Sequence, residues 1–116
     1  MTYEERLMEG FMRGWKASGI TGEECKLFIK AFCDYMDGHR IQADGSVRDP
    51  DNWKKGISQD VYMDSLYRHV TDLWSVFNGY ERFEPETKEE LDKKTLLCAI
   101  MFNVQGYLYE LIKEEK

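Results

Sequence analysis

Apolar side chains return every three or four positions through four stretches of this chain, and that spacing predicts four amphipathic helices. They run roughly over 3–18, 22–37, 59–77 and 88–113. Three of the starts carry a capping box, Thr2 with Glu5, Thr21 with Glu24 and Thr87 with Glu90. In each, hydroxyl and carboxylate would satisfy amides left open at a helix start. Ser58 with Asp60 marks the remaining start, the carboxylate lying in the first turn where the helix dipole favours it.

The first helix gathers Leu7, Met8, Phe11, Met12 and Trp15 on one side and stops at Gly19. The second gathers Cys25, Phe28, Ile29, Phe32, Tyr35 and Met36, and ends at Gly38. On the third, turned at about 100° per residue, the row expected to face the core comprises Tyr62, Met63, Leu66, Tyr67, Val70, Leu73, Trp74 and Phe77. Asp60, Asp64, Arg68, Thr71 and Ser75 fall opposite, with His69 at the boundary. The fourth is apolar nearly all round from Leu96 to Leu108, which suits a central helix or one shared with a partner chain. Asn103 shares a row with Ile100 and Tyr107, so burial is expected and with it a need for hydrogen-bond partners.

Periodicity vanishes between Gly38 and Ile57. There Asp44-Gly45 suggests a tight turn within a short hairpin, and Pro50 and Gly56 forbid regular structure. The fold class is therefore all-α, a single domain over 1–116, with a bundle of about four helices and a long hairpin-like loop between the second and third. A loop of such length in a small domain is often functional.

Composition then narrows the classes of function. The 42% hydrophobic content belongs to a folded chain, and a net charge of -6 argues against direct binding to DNA. Cys25, Cys33 and Cys98 form no metal-ligand pattern, which suits buried, reduced thiols. No signal peptide opens the sequence, and the most apolar run, Leu96 to Val104, is too short to span a membrane. The expectation is a soluble, cytoplasmic protein with no membrane partner.

Three groups could carry chemistry. The loop holds His39, Arg40, Arg48, Asn52, Trp53, Lys54 and Lys55, in which an aromatic ring could stack on a base while cations neutralise phosphate. The plainer alternative has Trp53 plugging the bundle end. On the third helix, Arg68 could hold a phosphate or pair with Asp64 or Asp72. His69 could act as an acid or base, or bond a loop carbonyl. Finally, Glu81-x-x-Glu84 and Glu89-x-x-Asp92 repeat the order of carboxylates with which helical nucleotide pyrophosphohydrolases hold Mg²⁺, though with only four residues between the motifs and Pro85 among them.

The stretches DNWKKG, YMDSLYRHVTDLW and NGYE, followed by an apolar helix with Asn103, resemble a phage-borne family, the dATP/dGTP diphosphohydrolase N-terminal domain. The resemblance covers Asp51 to about Ile112. It implies deoxynucleoside triphosphate pyrophosphohydrolysis and aligns Asn52, Trp53, Lys55, Gly56, Tyr62, Asp64, Arg68, His69, Trp74, Glu81 and Asn103 with the family's positions. The chain departs from the family in its last helix, where DKKTLLCAIMFN contains no His.

The resemblance implies a (deoxy)nucleotide pyrophosphohydrolase-like protein. Asn52, Trp53, Lys54, Lys55, Arg68 and Asn103 would bind the nucleotide, Asp64, Glu81 and Asp92 would hold Mg²⁺, and His69 and Glu81 would serve catalysis. The alternative is a non-catalytic phage accessory protein, a nucleotide sponge or an anti-defence protein bound to a host factor. Either would assemble as a homo-oligomer through the last helix.

Overall fold

In the computed structural model the described residues are 1–38, 45–46 and 56–115, with the backbone alone described at Glu4, Leu7, Met8, Phe11 and Trp15. Four helices form: α1 (Tyr3–Ala17), α2 (Gly22–Gly38), α3 (Gln59–Phe77) and α4 (Lys93–Glu114). No sheet occurs among the described residues, so the expected all-α class stands. The expected hairpin turn lies outside them save for Gly45, as do the side chains of Leu7, Met8, Phe11 and Trp15 on the expected α1 stripe. By their internal packing the residues form two compact units, Met1–Asp34 and Tyr35–Lys116.

Local chemistry fixes the helix starts. Thr2 Oγ1 accepts the Glu5 N–H at 3.1 Å. Thr21 and Glu24 form the full reciprocal box, with Oγ1 accepting the Glu24 N–H at 3.2 Å and Oε1 accepting the Thr21 N–H at 3.4 Å. Gly19, at φ 91°, closes α1 in the left-handed conformation that glycine tolerates. Ser58 caps α3, its side chain accepting from the Val61 N–H. Of the cysteines, Cys25 and Cys98 are buried as expected whereas Cys33 is exposed, and none is in a disulfide.

The start of α4 differs from expectation. Thr87 accepts the Glu89 N–H at 3.3 Å inside a turn, and the helix begins five residues later than its box suggests, capped by Asp92. The reason is the chain's return across Asn78–Asp92. There the Leu91 N–H bonds the Arg82 carbonyl at 2.8 Å and the Glu84 N–H bonds the Glu89 carbonyl at 2.8 Å, closing an antiparallel bridge between Phe83 and Glu90. Backbone committed to that bridge is lost to the helix.

α3 and α4 pack together as an antiparallel hairpin. At its open end Gln59 Nε2 donates to Glu114 Oε1 at 2.7 Å. One turn further in, the Tyr62 ring comes so close to Gly106 that any Cβ there would overlap it. Tyr62 and Leu96 are buried to 2% and 1% exposure, with Ala99, Asn103 and Asp72 also buried.

This contact narrows the expected core face of α3, of which Tyr62, Leu66 and Leu73 turn inward as expected. The row turned inward is Tyr62, Leu66, His69, Leu73 and Val76, with Asp72 beside it. Met63, Tyr67, Val70, Trp74 and Phe77, expected in the core, are exposed by 47–76%. The two rows lie one residue apart, a rotation of about 100°. The small residues Ala99 and Gly106 let α3 approach closely only with Tyr62 turned toward them.

α4 is likewise not buried all round within the chain, because Leu97, Met101, Val104 and Leu108 are exposed by 47–53%. As a continuous helix of 22 residues it is long and apolar enough by length and composition to cross a membrane, unlike the short apolar run read from the sequence.

Replacing Gly106 by Ala sets two effects of opposite sign against each other. Relief of glycine's helix cost would stabilise by about 1 kcal/mol. Overpacking against a rigid, buried ring costs about 1–3 kcal/mol. The overlap with Tyr62 makes the second prevail, so urea denaturation of Gly106→Ala is expected to show a net loss of stability; a gain would contradict the close approach.

Candidate functional site

The chemistry-bearing side chains of α3 divide between two faces. His69 is half-buried on the side turned to α4, and Asp72 is buried there one turn later. Asp64 and Arg68 lie exposed on the polar side. Arg68 therefore pairs with neither Asp64 nor Asp72; its Nη2 donates to Ser65 Oγ at 3.1 Å, and it forms no ion pair among the described residues. An exposed guanidinium steadied by one hydroxyl keeps donors directed to solvent, an arrangement able to receive phosphate oxygens.

Asp72 has a different partner. Arg82, in the return segment, donates from Nε to Asp72 Oδ1 at 2.9 Å, with the Asp72 side chain 11% exposed and that of Arg82 50% exposed. A nearly buried carboxylate is tolerable only when paired. The same contact ties the return segment to the side of α3. The sequence presents Asp72 only as a possible partner of Arg68; its true partner lies beyond the helix, and no periodicity reveals it.

The three expected Mg²⁺ ligands do not come together. Glu81 is exposed in the return segment, Asp64 sits near the open end of the hairpin, and Asp92 stands at the other end. With Tyr62 lying over Gly106, the helical rise places Asp64 and Asp92 roughly 15–20 Å apart along the hairpin. Ligands of one hard cation must lie within about 2–2.6 Å of it. The described residues contain no group of three or more His, Cys, Asp or Glu side chains placed to share a metal ion. These three residues do not fit a single Mg²⁺ within one chain.

Asp92 is occupied by another task. Its Oδ1 accepts the Thr95 N–H at 2.7 Å as the N-cap of α4, and that bond, with the Thr95 hydroxyl and nearby Lys94 assisting, holds its carboxyl below the ordinary value of 3.8. Asn103 is buried as expected, at 5% exposure, and finds its partner within α4, Nδ2 donating to the Ala99 carbonyl at 2.8 Å. It is enclosed by the helix pair and not presented to a ligand.

Near α4's first turns, Tyr35 from the end of α2 lies close to Cys98 and Glu84. Burial, together with those two groups, pushes its hydroxyl up to about 12, and burial likewise raises the Cys98 thiol. The loop residues His39, Arg40, Arg48, Asn52, Trp53, Lys54 and Lys55 lie outside the described residues.

Comparison with protein-family models, with curated proteins and with solved structures finds no match to this chain.

Two outcomes follow from this geometry. Arg82→Ala leaves the Asp72 carboxylate buried without its partner and should cost about 1–3 kcal/mol in urea denaturation. Asp72→Ala leaves only a half-exposed guanidinium and should cost less; equal losses would contradict the burial asymmetry. For Asp92, the folded pKa lies below the unfolded one, so its contribution is complete above 3.8 and lost as pH falls through the lower folded value. Asp92→Asn keeps a capping oxygen but cannot titrate. Its melting temperature is expected to fall less than the wild type's between pH 4 and pH 2.

Proposed function

We propose that the chain is a phage-type nucleotide-binding protein of the pyrophosphohydrolase-like class that holds phosphate without a metal-dependent cleavage step of its own. The observation that carries this reading is the unequal state of the charged groups. Arg68 is exposed with its guanidinium donors directed outward, whereas Asp72 is committed to Arg82 and Asp92 to a helix cap. Phosphate capture needs only outward cations. Hydrolysis needs carboxylates gathered on one ion, and Asp64, Glu81 and Asp92 are not gathered.

The family resemblance supplies the rest of this reading. Trp53 would stack on the base, and Lys54, Lys55 and Asn52 would join Arg68 on the phosphates. The accessory protein that blocks a host factor remains the rival.

The test is thermal melting with each nucleoside triphosphate and deoxynucleoside triphosphate, with and without Mg²⁺, followed by an assay for released pyrophosphate. A ligand at a hundred times its dissociation constant adds about 2.7 kcal/mol. The expected result is a raised melting temperature without pyrophosphate. Arg68→Ala should lose that shift while the unliganded protein melts as before. Pyrophosphate released under Mg²⁺ would show cleavage and contradict the non-catalytic assignment. No shift with any nucleotide overturns the reading and favours the accessory protein.

A further inference from the structure

We draw no further inference here: the strongest candidate, the exposed apolar stripes of the α3–α4 hairpin with Tyr67, Trp74 and Phe77 on α3 and Leu97, Val104 and Leu108 on α4, carries none because nothing in the structure shows what covers them.

Discussion

The contact of the Tyr62 ring with Gly106 sets the arrangement of the α3–α4 unit. A ring so close to a helix backbone needs the one residue without a Cβ beside it. Once Tyr62 is placed there, the rotation of α3 is fixed, and every other side chain on that helix is assigned to a face. Leu96 and Ala99 continue the close approach toward the connected end. The exposure of Trp74 and the burial of Asp72 are two results of the same rotation.

That rotation brings polar groups inward, which is the more demanding choice energetically. A buried carboxylate must be compensated, and Arg82 compensates it from the return segment. Asn103 is satisfied by its own helix. The paired and capped residues hold the hairpin together, so the acids that would serve a metal ion are spent on structure or stand apart. Under the proposed reading, phosphate binding at the polar face would rest on cations, with Arg68 the one among the described residues of α3's polar side.

Local features were legible in the sequence and rotational ones were not. The caps at Thr2, Thr21 and Ser58 depend on residues three apart and form as the sequence suggests. The box at Thr87 fails because a competing bridge between Phe83 and Glu90 uses that backbone, a pairing that no short window displays. The inward face of α3 was drawn too wide, taking in Tyr62, Leu66 and Leu73 but also the more apolar adjacent row, which is left outside. Hydropathy ranks the rows by content, whereas packing ranks them by fit to Ala99 and Gly106. The small residues were the available signal. Arg68 was legible as an outward cation and Asn103 as a buried amide, while the Asp72–Arg82 pair needed the fold.

The orientation of α3 is the claim on which the rest depends, and proton NMR reads it most directly. The account predicts cross-peaks between the Tyr62 ring and the Gly106 Hα protons. Cross-peaks in each chain from Met63 and Val70 to Ala99 and Asn103, with none from Tyr62 to Gly106, would contradict it and return the more apolar row to the interior.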